Sequence, residues 1–400
     1  MSKLPSRLQP AWPYLKRAHR AASLVLGFLF RAISPLLGGN GVPRRATTRS
    51  ADTAAAEPAS VTLHLGAVSD PITRAMPAGE PAGHWRFANA LTAEVSDRYV
   101  LDVRDGRLVG PHAATVTPAG ALDYQTSGYF GLSDWREHPL FLHPTVGRTE
   151  HVSGTVLSLT TRGTAGNYYH FLYDAIARYG IFREAMPEVE VDAIIVPHQT
   201  GYQRQLLDLI GIDRPLLQPR PGLTYRADRL LVPSTPNQDL DAPAWVTHWL
   251  RDHLPARPTG PTPTRLYLSR GTTPNTRRYV EEAELVPELE RRGFTVLDPG
   301  SLSVQEQINT FAGADIVIAP HGAGLTNITF CKPGTRVIEM FARGYVHLGL
   351  WTIAEAVGGV DYRYLVSDGP TRPGEQMVGV LEDVSIPVSR VLAQIDDLIS

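Results

Sequence analysis

From Asp315 to Phe341 the chain runs through two apolar, β-branched stretches separated by a proline, two close glycines and a short mixed segment. Ile316 to Ala319 has no polar alternation and predicts a strand buried on both faces. Pro320 ends it, and His321, Gly322, Ala323 and Gly324 follow with little side-chain bulk. Leu325 to Phe330 predicts the opening turns of a helix, with Thr326 and Asn327 near its start. Pro333-Gly334 then turns the chain into a second strand, Arg336 to Phe341, which carries Glu339 near its end. Strands this close with a helix between them imply a right-handed crossover and a parallel sheet.

The same arrangement makes a place for an anion. N–H groups at a helix start lack partners, and small residues let a phosphate approach them. Glu339 would accept hydrogen bonds from ribose hydroxyls, since open α/β sheets hold nucleotides beyond their strand ends. A tight turn that needs glycine for backbone reasons alone is the competing reading.

With 400 residues, two domains are expected. Charged residues make up 20% and the net charge is −2, so no global field favours nucleic acid, which is not among the expected partners. One cysteine, Cys331, excludes an intrachain disulfide and offers no cysteine cluster for zinc.

Before Asp52 there is no acidic residue, whereas Lys3, Arg7, Lys16, Arg17, Arg20, Arg31, Arg44, Arg45 and Arg49 are basic. Ala21 to Phe30 is apolar but shorter than the roughly 20 residues of a spanning helix. On a helix, Lys16, Arg20 and Arg31 form one stripe and Leu15, Leu24, Val25, Leu26, Phe28 and Leu29 lie mostly away from it. That pattern suits a helix lying on an anionic membrane surface; a secretory signal and a disordered basic arm are the rivals. Gly38 to Ser60 reads as a flexible linker.

The expected organisation is a basic segment and linker over 1–60 and an amino-terminal domain over 61–254, divided into a β-rich lead-in (61–150) and an α/β part (151–254). A proline-rich linker (255–264) and a nucleotide-binding domain (265–400) complete it. Asp105-Gly106 predicts one hairpin and Pro118-Ala119-Gly120 a second. Further strands are expected at Thr155–Thr160, Ala193–Val196, Leu216–Leu217, Arg229–Val232, Arg265–Ser269, Phe294–Asp298 and Tyr362–Val366.

Asn167, His170 and Asp174 are spaced three and four apart and share one helix face. A histidine held by a carboxylate one turn away can act as a general base, while Asn167 as a cap and His170 as a packed histidine is the structural alternative. Ser269 and Arg270 fall at the carboxyl end of a strand, where an arginine fork could grip a phosphate. Asp239-Leu-Asp241 matches a metal-holding Asp-x-Asp pattern, but Asp241 also reads as a helix cap, and no other carboxylate cluster supports a metal.

Asn167-Tyr-Tyr-His170 with Asp174, Leu268-Ser269-Arg270, Phe294 to Pro299, Ala312-Gly-Ala, Pro320 to Asn327 and Pro333 to Glu339 together resemble glycosyltransferase family 61, the group containing bacterial capsular polysaccharide biosynthesis proteins. The resemblance covers about Gly154 to Val366. It implies a GT-B-like α/β architecture, two doubly wound Rossmann-like domains facing a cleft, and an inverting, metal-independent transfer from a nucleotide sugar with no cofactor. Catalysis would fall to His170, Asp174 and Asn167, and donor binding to Ser269, Arg270, His321, Gly322, Ala323, Gly324, Thr326, Asn327 and Glu339. The expected partners are a nucleotide-sugar donor, a glycan or lipid-linked acceptor, and a membrane surface met through the amino-terminal segment. The expected location is the cytoplasm, at the inner face of the membrane. Two rivals are a binding protein that retains the fold without chemistry and another two-domain nucleotide enzyme such as an epimerase.

Overall fold

The computed structural model describes residues 12–129, 131–236, 242–272, 276–369 and 380–399. Asp239 and Asp241, the Asp-x-Asp match and expected helix cap, lie outside them, as do Lys3 and Arg7. The architecture is mixed α/β, built on one mixed and one parallel sheet.

The parallel sheet has the strand order Thr295–Leu297, Arg265–Leu268, Ile316–Pro320, Arg336–Phe341, Asp361–Val366 and Ala78–Glu80. The first five run 2-1-3-4-5 in chain order, and all neighbours are parallel. This order reverses direction between Arg265–Leu268 and Ile316–Pro320, and the crevice beyond the carboxyl ends at such a reversal is where α/β sheets bind ligands. Ile316–Pro320 is buried throughout, as its unbroken apolar run requires.

The mixed sheet takes its parallel part from Leu216–Leu217, Ala193–Ile195, Arg148–Ser158 and Leu223–Pro233, and its antiparallel part from the lead-in. Pro118–Gly120 does turn a hairpin, pairing Thr115 with Asp123. Asp105-Gly106 does not. Its flanks, Arg98–Arg104 and Arg107–Val109, stay in line and both pair with Leu223–Pro233. Asp105 takes the positive φ (54°) that the dipeptide signals, but it kinks one long strand, and Arg226 ion-pairs with its carboxylate.

Three other expectations change. Residues 38–60 are ordered where composition predicts a linker: Arg45–Thr47 joins the mixed sheet and Ser50–Ala56 is helical. The cause is Asp123, fully buried, whose carboxylate accepts from Ser50 Oγ at 3.0 Å, Thr53 Oγ1 at 2.5 Å and Thr126 N at 3.0 Å. Hydroxyls that look like linker composition satisfy a buried charge. Ala78–Glu80, within the lead-in, crosses to the edge of the parallel sheet. The amino-terminal helix spans Trp12–Ile33, longer than the apolar run alone suggests, and the 24 residues Arg17–Asn40 are long and apolar enough to cross a membrane.

The two sheets share one apolar core. Phe171, Leu172, Ile176 and Val246 from the first half pack with Val304, Phe311, Ile328 and Trp351 from the second. Side chains at this joint are hydrogen-bonded too: Tyr173 Oη lies 2.9 Å from Thr247 Oγ1 and 2.8 Å from Thr329 Oγ1.

Candidate active site

Asn167 opens the helix of the first half, its Oδ1 accepting from Tyr169 N at 2.9 Å and His170 N at 3.4 Å. The helix is not uniform: Phe171–Ile176 is a π-turn between α segments Tyr168–His170 and Ala177–Ala185. His170 Nδ1 lies 2.8 Å from Asp174 Oδ2, and Thr161 Oγ1 donates to the same oxygen at 3.3 Å. Gly163 sits against the His170 ring, where a Cβ would stand 2.4 Å from its Cγ. Below Asp174, the fully buried Arg178 donates to Thr160 O at 2.6 Å and Thr126 O at 3.0 Å, and burial lowers its pKa to about 10.

In the second half, Ser269 and Arg270 leave the first strand and His321 to Gly324 leave the third, on either side of the reversal point. Gly322 has φ 179°, extended backbone open to any residue, so the turn itself does not require glycine. Arg270 does: an added Cβ would lie 1.7 Å from its Nη1. Arg270 Nε donates to Thr276 O at 2.8 Å, and burial together with Arg277 lowers its pKa to about 10. Ser269 Oγ accepts from Gly271 N at 3.0 Å and donates to Glu282 at 3.1 Å. The expected helix after the turn is a 3₁₀ segment, Ala323–Phe330, beginning two residues earlier than predicted.

Two cavities meet at Gly322. One of about 660 Å³ is walled by Ser269, Arg270, Pro299, Gly322 and Gly324 and, from the first half, by Tyr168, Tyr202 and Gln205. A smaller one of about 80 Å³ is lined by Asn167, His170, Arg277, His321, Ala323, Thr326 and His347. The geometry therefore brings the two predicted groups of residues to one place, from opposite halves of the chain.

Two predicted donor contacts have other work. Glu339, expected at the ribose, is fully buried beneath His321: its Oε1 lies 2.5 Å from His321 Nδ1, and its other oxygen accepts from the Tyr362 hydroxyl. Burial pushes the Glu339 carboxyl up to about 8, and burial with Arg277 and Arg270 pushes His321 well below its usual range. Both shifts favour the uncharged pair. Asn327, also fully buried, donates to Gln307 Oε1 at 2.8 Å and Gly324 O at 3.0 Å and accepts from Tyr168 Oη at 2.9 Å. Its amide ties the two halves together rather than facing a ligand.

Arg277, His347 and Tyr345 are site residues that sequence reasoning missed. Arg277 holds an unusual positive φ (63°), and its guanidinium lies 5.0 Å from the Tyr345 ring centroid. His347 stacks on His321 at 5.5 Å, and burial, then His321 and Arg86, drive its pKa well below the usual range. Only the positive φ has a physical oddity attached, and that is visible in structure alone. At the smaller cavity His170 is turned to Asp174 and His321 to Glu339, and Arg277 lines the wall beside them. Among the described residues no group of three or more His, Cys, Asp or Glu could hold a metal ion.

Residues 168–338 match the model of the family Glycosyltransferase 61, and that family carries glycosyltransferase activity in general. The match spans every site residue expected from the sequence except Asn167 and Glu339, which flank it, and Tyr345 and His347 lie beyond its end. No curated protein matches the chain.

Proposed function

We propose that this protein is an inverting, metal-independent glycosyltransferase of GT-B-like design. It would move a hexosyl or pentosyl group from a nucleotide sugar to a glycan or lipid-linked acceptor in cell-surface, capsular-type polysaccharide synthesis. The observation that carries the reading is the Arg270 guanidinium packed over Gly322 at the sheet's reversal point, facing a cavity walled by both halves. A diphosphate there meets Arg270 and Arg277, and negative charge developing on it as it departs is stabilised by groups already in place. Because nucleotide sugars are made in the cytoplasm, the reaction is set on that side of the membrane.

In the transfer, the acceptor oxygen forms a bond to the anomeric carbon as the carbon–oxygen bond to the diphosphate breaks. His170, fixed through Nδ1 by Asp174, takes the acceptor proton on Nε2. His321, held neutral above Glu339, contacts the sugar or a phosphate. The test is release of free nucleoside diphosphate from a panel of nucleotide sugars by wild type and Arg270→Ala. Release by the wild type alone supports the reading. Conversion of the sugar with the nucleotide still attached would replace it with an epimerase-type reaction.

A further inference from the structure

Two arginines of the amino-terminal helix's basic stripe, Arg20 and Arg31, reach side chains of the protein body. Arg20 Nη2 donates to Glu137 Oε1 at 2.5 Å. The Arg31 guanidinium lies 4.9 Å from the Phe141 ring centroid and 5.2 Å from that of Trp135. Gly27, buried between them, presses on the same residues, where an added Cβ would stand 3.1 Å from Phe141 Cβ. The opposite side of the helix is apolar and bare. Val25 is 60% exposed, Phe28 66%, Leu29 50% and, just past the helix, Leu36 86%. Tyr14, Leu15, Leu26 and Ile33 are exposed with them.

We infer that this outward apolar face is a bilayer-docking surface, with the helix lying in the headgroup region of an anionic membrane and its arginines anchoring it to the body of the protein. A single exposed apolar residue needs no partner, but eight along one segment do. Charge selects the bilayer over a second copy of the chain. Arg17, Arg44, Arg45 and Arg49 are exposed near this segment, and no acidic residue precedes Asp52. Two such faces packed together would bring like charges close, whereas anionic headgroups would neutralise them. Spanning the membrane over Arg17–Asn40 would strip Arg31 from Trp135 and Phe141 and carry it into hydrocarbon, so the helix lies on the surface rather than crossing it. The binding surface is independent of the chemistry in the cleft.

The full chain is to be sedimented with vesicles of phosphatidylcholine and phosphatidylglycerol. The wild type should sediment, and Val25→Asn with Phe28→Asn should need at least about tenfold more lipid, since each substitution removes a large apolar side chain from the interface. Because both residues are exposed, Tm should hold at the wild-type value. Arg20→Gln with Arg31→Gln should keep vesicle binding and lower Tm. Loss of binding in the arginine variant with retention in the apolar variant would overturn the inference. So would a dimer, without vesicle binding, that the apolar variant disperses.

Discussion

His170 and His321 each rest Nδ1 on a carboxylate, yet the two pairs are built in opposite ways. His170–Asp174 lies along one helix, four residues apart, and the histidine faces the small cavity. His321–Glu339 is assembled across two parallel strands, in a register that pairs Ala319 with Glu339, and its carboxylate is fully buried. A helical pair is set by local spacing alone and can serve chemistry at the cavity that both histidines line. A cross-strand pair sunk beneath the turn fixes the turn's geometry first, and its protonation is governed by burial.

The largest effect separates the two roles. His170→Ala should fold, bind donor normally and lose roughly 10²–10⁴ in turnover, as expected for a deleted general base. If His321→Ala loses as much at unchanged donor affinity, the roles are reversed. Glu339→Ala should instead cost stability, about 1–3 kcal/mol for each buried group left unpaired, because His321 and Tyr362 would lose a buried partner. Chemical denaturation of that variant and of Asp174→Asn checks the contrast, the latter losing turnover before stability.

Gly163→Ala tests positioning without touching a polar group. Its Cβ would displace the His170 ring, so turnover should fall while donor affinity stays at the wild-type value. Arg270→Lys keeps a charge but loses the fork, and should weaken nucleoside diphosphate binding by roughly 1–3 kcal/mol at unchanged Tm. Isothermal titration reads it directly.

The smallest effect is in pH. Burial raises Glu339 from its ordinary 4.5 to about 8 and holds His321 well below 6.5. Just below 6.5 the folded chain keeps a proton on Glu339 and lacks one on His321, and the two contributions oppose each other. From 6.5 to about 8 only Glu339 binds more protons folded than unfolded, so this pair's contribution falls as pH rises. Glu339→Gln should flatten the stability profile over that interval, as read by urea unfolding at fixed pH steps.

The comparison also shows what a sequence exposes. Asn167, His170 and Asp174 were legible because helical spacing alone places them together. The parallel sheet was legible because its strands are short unbroken apolar runs. Glu339 was misplaced, since only strand register puts it under His321. Tyr345 and His347 carry no local pattern and reach the site through tertiary packing. The amino-terminal helix was seen as amphipathic, but its orientation depends on Glu137, Trp135 and Phe141, more than 100 residues away.

The central claim is that the cleft between the two halves binds a nucleotide sugar through Arg270. Thermal shift of wild type and Arg270→Ala against a panel of nucleotide sugars tests it most directly, since a ligand bound to the folded state raises Tm. The account predicts that at least one nucleotide sugar, and its nucleoside diphosphate, raises the wild-type Tm and that the variant loses most of that rise. Equal shifts in both proteins, or none with any nucleotide sugar in the panel, would contradict it.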